Sequence, residues 1–276
     1  MSSALVWFRR DLRDFDHAAL YHALKTHRRV FCAFVFDSEI LDALPSRADR
    51  RVEFIHASVL ELHDGLQRLA AQSGAPGGGL IVRHDPALPC IVQLAQELGV
   101  QEVLVNRDYE PQAIARDQHV AQALHALGIA FSDYKDQVLL DRDEVLTQQG
   151  RPYSVFTPYK RAWLKRLSDD DLTPHSTVRG TLAKPTGPSA WPSLTDLGFQ
   201  PTNLNSLGIT PGMCGARDLA DDFAKRIAHY AERRDYPAVK GVSYLSVHLR
   251  FGTISIRELV AQALAGGAAQ GDNGAA

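Results

Sequence analysis

The chain has 276 residues, of which 45% are hydrophobic and 22% charged, and its formal net charge is −2. These values are typical of a globular protein with one large domain or two ordinary ones. They exclude a protein that binds nucleic acid through overall positive charge, so any such contact must be local. No apolar run is long enough to cross a membrane, and we expect no export signal.

The cysteines and histidines of the chain give no pattern of a disulfide or metal site. Cys32, Cys90 and Cys214 are scattered without CxxC spacing, which fits a cytoplasmic protein with reduced thiols. His56 and His63 lie two turns apart on one predicted helix, but no further His or Cys follows at ligand spacing. We therefore predict no metal.

The first half of the sequence alternates strand and helix patterns, and residues 1–135 are assigned to one α/β domain. Short, mostly apolar strands that alternate with helices predict a parallel sheet covered on both faces. Right-handed crossovers then give a Rossmann-like, doubly wound fold with five strands. The predicted strands are residues 4–8, 30–36, 80–83, 102–105 and 130–133, and the clearest helices are 50–69, 90–98 and 113–127.

The composition changes near residue 168, inside the segment that follows this domain. Residues 136–212 hold repeated prolines and little periodicity apart from a helix near 156–167, which predicts an interdomain connector crossing the surface. Helix patterns resume at 216–231 and 255–264, so residues 213–276 are expected to begin a helical domain. Because the last residues are of low complexity, this domain is expected to begin without being completed.

Charged residues follow three predicted strands, at the edge where parallel sheets bind ligands. Arg9 and Arg10 follow the first strand, Asp37 ends the second, and residues 106–110 follow the fourth. With Arg51 at a helix start, they form a polar rim suited to a flat, heteroaromatic ligand. The alternative is that these charges face water and pair with one another. No GxGxxG motif follows the first strand, so an ordinary NAD site is excluded.

A second candidate site is the loop "GVSYLSVHLRFG" at 241–252. Ser243 and Ser246 precede helix-forming sequence, and hydroxyls with free backbone N–H groups at a helix start can bind an anion. The alternative is an ordinary serine at the N-cap of a helix.

A third candidate, residues 151–167, alternates aromatic and basic side chains. Such alternation can hold nucleic acid. It is also typical of an amphipathic helix whose aromatic side chains are buried and whose lysines are solvated, and we favour this second interpretation.

Several separated motifs, in order, make the sequence resemble the photolyase/cryptochrome family, with bacterial cyclobutane-dimer photolyases most similar. The motifs are "VWFRRDLRDFDHAAL" near the N-terminus, "LVNRDYEP" at 104–111, "YSVFTPYKRAWLKRL" at 153–167 and "YAERRDYPAVKGVSYLSVHLRFGTISIRE" at 230–258. The resemblance implies an N-terminal α/β antenna domain, a connector and an all-helical FAD-binding domain.

The resemblance also implies roles for residues at matching positions. The implied FAD contacts are Tyr230, Val242, Ser243, Tyr244, Leu245 and Ser246. The implied antenna-chromophore contacts are Arg10, Asp37, Arg51, Asp108 and Glu110, and Arg234 matches a position on the DNA-facing side. Folate-binding members carry an Asn-Glu pair after the "YE", where this chain has Gln112-Ala113. This difference favours an 8-hydroxy-deazaflavin over methenyltetrahydrofolate as the antenna.

The implied activity is light-driven repair of cyclobutane pyrimidine dimers in UV-damaged DNA, by electron transfer from reduced FAD to a flipped-out dimer. Catalytic residues are expected in the family's remaining helical region, so this chain alone is expected to be inactive. One alternative is a cryptochrome-type blue-light photoreceptor. Another is a stand-alone chromophore-binding α/β module. The protein is expected to be a cytoplasmic monomer.

Overall fold

The structure, a computed structural model, describes residues 2–176, 180–185 and 191–268. Its first half is built on a five-stranded sheet in which every strand pair is parallel. The strands are β1 (Ser3–Phe8), β2 (Arg29–Asp37), β3 (Leu80–Asp85), β4 (Glu102–Asn106) and β5 (Ala130–Tyr134). Their spatial order is β3-β2-β1-β4-β5. The predicted parallel α/β class is confirmed, and each predicted strand lies inside an observed one.

Eleven α-helices lie in the described residues. They are α1 (Ala18–Thr26), α2 (Ser38–Asp42), α3 (Arg50–Gln72), α4 (Ala87–Glu97), α5 (Pro111–Ala126), α6 (Phe156–Arg166), α7 (Asp169–Leu172), α8 (Gly212–Ala224), α9 (Tyr230–Arg233), α10 (Ser246–Phe251) and α11 (Ile256–Ala268). Two 3₁₀ turns, Asn205–Leu207 and Ile227–His229, separate some of them. None of the described helices is long and apolar enough to cross a membrane.

Both faces of the sheet are covered by helices, because alternate side chains of the apolar strands point to opposite faces. Val6 and Phe8 of β1 belong to the core under α1 and α3. Leu5 and Trp7 belong to the core under α4 and α5. This arrangement is the doubly wound fold, with its switch in strand order next to β1.

Part of the predicted connector packs against the α/β half rather than only crossing its surface. Leu182 forms a parallel bridge with Val30 of β2. Leu197, Phe199 and Leu204 are buried in the core that lies under α1 and α3. The proline-rich composition predicted the irregular backbone, but it carried no sign of these apolar anchors. The domain boundaries themselves stay predictions.

The single helix predicted at residues 216–231 is divided in the structure. α8 ends at Ala224, a 3₁₀ turn follows, and α9 starts only at Tyr230. The break falls at Arg226, whose backbone leaves the helical conformation with φ −131° and ψ 3°. Its guanidinium donates to the carbonyl oxygens of Lys240 and Val242. A long-range contact therefore replaces the helix that periodicity predicted.

A buried group of ions joins the helical residues to the α/β half. Arg257 of α11 donates to Asp16 at 2.8 Å and to Asp136 at 2.6 Å. Arg13, which follows β1, donates to the other oxygen of Asp136 at 2.6 Å. Burial raises the pKa of Asp136, but the neighbouring cations lower it more, to well below its ordinary value. Two arginines and two aspartates thus balance their charges in the interior.

Candidate functional site

Three of the five predicted antenna residues meet at the carboxyl ends of β1 and β4. The Arg10 guanidinium lies 3.4 Å from the Asp108 carboxylate and 3.0 Å from Oε1 of Glu110. Asp108 is buried and accepts the backbone N–H of Glu110 at 3.1 Å, which fixes the turn into α5. Hydrogen bonding to Arg250 lowers the pKa of Glu110. Burial opposes this change, and the nearby charge of Arg10 adds to it. This group is called the rim below.

The other two predicted antenna residues have their polar contacts elsewhere. Asp37 is buried and accepts backbone N–H groups from Glu39 at 3.2 Å and from Ala87 at 3.3 Å. It therefore caps α2 and fixes the start of α4. Arg51 is mostly exposed and pairs with Asp49, the N-cap residue of α3, at 2.5 Å.

The rest of the charge cluster after β1 is divided between two interior environments. Arg9 pairs with Asp117 of α5 at 2.5 Å, and its guanidinium lies 5.0 Å from the ring centre of Trp7. Asp11 is buried and pairs with His17 at 2.8 Å. Burial raises the pKa of Asp11, but His17 and other neighbours lower it more. Arg9 and Asp11 thus pair with residues outside the predicted rim, whereas Arg10 pairs with Asp108 and Glu110, as the alternative of mutual pairing predicted.

The loop at 241–246, called the flavin loop below after its implied ligand, turns sharply into α10. Tyr244 has φ +59°, in the left-handed region that side chains rarely adopt. Leu245 is buried and anchors the loop, whereas Val242 and Tyr244 are exposed. The Ser243 hydroxyl accepts the N–H of Leu245 at 3.4 Å, and no side chain caps the first turn of α10. The alternative of an ordinary N-cap serine therefore does not describe this loop.

Arg226 holds the flavin loop in place, and sequence analysis missed it. It donates to Lys240 O at 2.9 Å and to Val242 O at 2.8 Å, and it pairs with Asp222 at 2.8 Å. Its guanidinium also lies 5.9 Å from the ring centre of Tyr244. Nothing in the local sequence distinguishes this arginine from its basic neighbours, since the two loop carbonyl groups that it binds lie 14 to 16 residues away.

Tyr230 and Arg234, predicted to contact FAD and DNA respectively, are neighbours. The Arg234 guanidinium lies 5.6 Å from the ring centre of Tyr230. The same ring meets Phe223 of α8 edge-on at 5.9 Å between centroids. Tyr230 and Arg234 are themselves exposed, so both side chains are accessible to a ligand.

An apolar groove of about 300 Å³ opens beside the flavin loop. Ser243 is one of its few polar lining residues. The groove also connects α8 with α11. Its apolar lining includes Phe223, Ile227, Leu245, Leu249, Leu259 and Val260.

The helix α10 connects the flavin loop to the rim. Leu12 N donates to Phe251 O at 3.0 Å, and Arg10 Nε donates to Arg250 O at 3.2 Å. The backbones approach so closely that a Cβ on Gly252, whose φ is +64°, would collide with the backbone of Arg10. The two candidate sites are therefore linked through one short helix.

The preferred interpretation of residues 151–167 is wrong for two of its aromatic side chains. Phe156 is 72% exposed and Tyr159 is 37% exposed, although we expected both to be buried. Trp163 does pack on the small core around Leu139 and Leu140. The helix prediction is confirmed, but periodicity predicted that more of its aromatic side chains would be buried than the structure shows.

The histidines that were considered as metal ligands have structural contacts instead. His56 Nε2 hydrogen-bonds to Pro192 O at 2.9 Å, and His63 Nδ1 accepts the N–H of Leu80 at 3.1 Å. In the part of the chain that the structure describes, no group of three or more His, Cys, Asp or Glu side chains could hold a metal ion.

Comparison with known proteins decides the family. A family model described as DNA photolyase matches residues 4–178, which is more than half of the chain. The chain belongs to the DNA photolyase family. It is 34% identical to the deoxyribodipyrimidine photo-lyase of Vibrio cholerae serotype O1 over 265 residues, covering 94% of this chain and 54% of that protein.

Solved structures of the family show the same fold. A bacterial class III photolyase from Agrobacterium tumefaciens superposes with a TM-score of 0.78 at 28% identity, covering 95% of this chain and 53% of that one. A cryptochrome from Synechocystis sp. PCC6803 superposes with a TM-score of 0.81, covering 99% of this chain and 57% of that one. Its identity is only 19%, so this likeness concerns the fold alone. The chain spans about half the length of the curated photo-lyases it matches.

Proposed function

We propose that this chain supplies the antenna site and the flavin loop of a light-driven photolyase that repairs cyclobutane pyrimidine dimers. The observation that carries the proposal is the link through α10 between the rim and the flavin loop. Energy transfer between two chromophores depends on their separation and orientation. A rigid link between two cofactor sites would keep both constant.

The rim is the proposed antenna site. Arg10 offers guanidinium N–H donors, and Glu110 is a half-exposed carboxylate acceptor, which together suit the polar edge of a flat chromophore. The Gln112-Ala113 pair favours an 8-hydroxy-deazaflavin, with methenyltetrahydrofolate as the alternative. Asp37 and Arg51 stay predicted contacts that rest on the resemblance.

The flavin loop and the groove beside it are the proposed binding site of FAD. The proposed contacts are Tyr230, Val242, Ser243, Tyr244, Leu245 and Ser246. The fit is chemical: Ser243 can donate to a phosphate oxygen, and the groove beside it offers apolar side chains that exclude water. When bound and reduced, FAD would supply the electron that splits the cyclobutane ring. The role of Arg226 is to hold the loop backbone in the binding conformation.

UV-damaged DNA is the proposed substrate, and Arg234 is its proposed contact in this chain. Its guanidinium is half exposed and lies over Tyr230, so a phosphate bound there would adjoin a proposed flavin contact. The monomeric state and the cytoplasmic location stay predictions from the sequence.

A chimera tests this proposal. Residues 1–268 of this chain would replace the matched half of the Vibrio cholerae photo-lyase, and loss of thymine dimers from an oligonucleotide would be measured in light and in darkness. We expect repair in light only. Arg10→Gln should remove the antenna band from the action spectrum and leave repair driven through flavin absorption unchanged.

One outcome of the chimera experiment would overturn the proposal, and two others would favour its alternatives. A folded chimera that binds FAD and damaged DNA but repairs no dimer in light would overturn the proposal. Light-driven flavin reduction without repair would favour the photoreceptor alternative. Binding of a chromophore at the rim by a chain that binds no FAD would favour the stand-alone module.

A further inference from the structure

Four partly exposed rings meet where α1, β5 and the predicted connector come together. His22 stacks on Tyr134 with 4.1 Å between ring centroids, and His175 stacks on Tyr21 with 5.0 Å. The centroids of the two imidazole rings are 6.0 Å apart. None of these four residues belongs to the rim or to the flavin loop, so the proposed function gives the pair of histidines no role.

The nitrogen atoms of these two imidazole rings are available to a ligand. Among the residues that the structure describes, none forms a hydrogen bond or an ion pair with the side chain of His22 or of His175. His27, near the end of α1, differs from them because its Nε2 pairs with Glu102 at 2.7 Å. Both rings of the pair are therefore held by stacking, and their nitrogen atoms stay free to bind.

Both imidazoles are also in the protonation state that a metal requires. Burial lowers the pKa of each ring below its ordinary 6.5, so both rings are mostly neutral at neutral pH and carry a free lone pair. Nearby carboxylates offset the repulsion that nearby cations would exert on a bound metal ion. The carboxylates are Glu102, Asp16 and Asp136, and the cations are Lys25 and Arg257.

We propose that His22 and His175 together bind one divalent transition-metal ion, with water at its remaining positions. A metal–nitrogen bond is about 2.0 Å long, so an ion shared by two imidazoles places their centroids about 5–6 Å apart. The observed separation of 6.0 Å lies in this range. Two imidazole nitrogens and two water oxygens suit tetragonal Cu²⁺, which such a site binds more tightly than Ni²⁺ or Zn²⁺.

The bound ion would tie the predicted connector to the α/β half, since His22 lies on α1 and His175 lies in the connector. An ion that binds only the folded chain would thereby stabilise it. Sequence spacing could not predict this site, because the two histidines are far apart in the chain. With two protein ligands, the site is also smaller than the groups of three or more ligating side chains, of which the described residues contain none.

Calorimetric titration of the full chain with Cu²⁺ at neutral pH, without an affinity tag, tests the proposal. We expect one ion per chain, with two nitrogen ligands in its electron paramagnetic resonance spectrum. His22→Phe and His175→Phe keep a ring that can stack on the neighbouring tyrosine, and each should weaken binding at least about tenfold. Saturating Cu²⁺ should raise the Tm of the parent chain by about 5 °C.

The matched control removes two histidines elsewhere, His119 and His125, which are exposed on α5. The control variant H119Q/H125Q should bind Cu²⁺ like the parent chain, whereas H22Q/H175Q should lose the site. Thermal melts without metal show which variants fold, and the Phe and Gln series provide two independent substitutions.

Three results would overturn the proposal. The first is a parent chain that binds no Cu²⁺, and the second is unchanged binding in folded His22→Phe and His175→Phe. The third is an equal loss in H119Q/H125Q and H22Q/H175Q, which would mean that scattered surface histidines bind the ion.

Discussion

The two halves of the molecule differ in how completely they bury their apolar side chains. The α/β half has a core on each face of its sheet, whereas the core between α8, the flavin loop and α11 has only four buried residues. Among the described residues, three large apolar side chains before residue 136 are exposed, against twelve after it. The second half therefore leaves more apolar surface exposed, and some of its apolar residues are buried in the core of the α/β half.

The largest effect is expected where the two halves are joined. Arg257→Met would leave Asp16 and Asp136 buried with one cation between them, and should lower the free energy of unfolding by about 3–5 kcal/mol. Chemical denaturation measures this loss. Arg250→Met, at a half-exposed arginine, is the control and should change stability by less than about 1 kcal/mol. Equal losses would mean that the buried ions do not join the halves.

Matched leucine truncations compare the core of the α/β half with the small core between α8 and α11. Leu66 of α3 is fully buried, and Leu66→Ala should cost about 2–5 kcal/mol. Leu219 of α8 is only partly buried, and Leu219→Ala should cost about 1 kcal/mol. Denaturant midpoints of both variants test this difference. A larger loss of stability at Leu219 than at Leu66 would contradict the view that the α/β half has the better-packed core.

Gly252 tests the close approach of α10 to the rim. Gly252→Ala adds a Cβ that collides with the Arg10 backbone at a positive φ, and should cost about 1–3 kcal/mol. Faster amide exchange in α10 should accompany this loss. Gly150→Ala also has a positive φ but lies in open space, so it should leave exchange in α10 unchanged.

The last effect, which appears only at acidic pH, is a pH dependence at the same junction. Burial lowers the pKa of His248 to about 4, from an ordinary 6.5, and the His248 ring packs on Phe54. Between these values the unfolded chain binds the proton more readily, so stability present above pH 6.5 is lost as the pH falls toward 4. The loss from this group should be about 3 kcal/mol, because each unit of pKa shift is worth about 1.4 kcal/mol.

His248→Gln isolates that contribution, because glutamine cannot take up the proton and can still hydrogen-bond to Thr253. Denaturation curves at several pH values should show a shallower slope for this variant between pH 4 and 6.5. His22, His63 and His175 also have a lowered pKa, chiefly through burial, so part of the slope should persist. An unchanged slope would contradict the assignment to His248.

Sequence patterns predicted the elements of the fold far better than the contacts of the site. Strand and helix periodicity is a local property, and it located all five strands and α3, α4, α5 and α6. α1 was not singled out. The roles of Arg226 and Arg257 depend on partners distant in the chain, such as Asp16, 241 residues from Arg257. No local pattern encodes such pairs.

The same reason explains the divided charge cluster after β1. Arg9, Arg10, Asp11 and Arg13 are close in sequence, yet each has a different environment in the fold. Their position after a parallel strand predicted a ligand site, and only Arg10 pairs with other residues of that predicted site, so the site itself stays a prediction. Which of the others faces the interior depends on α5, α1 and α11, and only the folded chain brings these elements together.

The most direct test of the antenna assignment is a fluorescence titration of the full chain with 8-hydroxy-deazaflavin. Arg10→Gln is compared with Arg51→Gln, which removes an exposed arginine paired with Asp49. If the rim is the antenna site, the parent chain binds the chromophore and Arg10→Gln weakens binding at least tenfold, with a smaller effect from Arg51→Gln. Unchanged binding in Arg10→Gln, with the chain folded, would contradict the assignment of the rim.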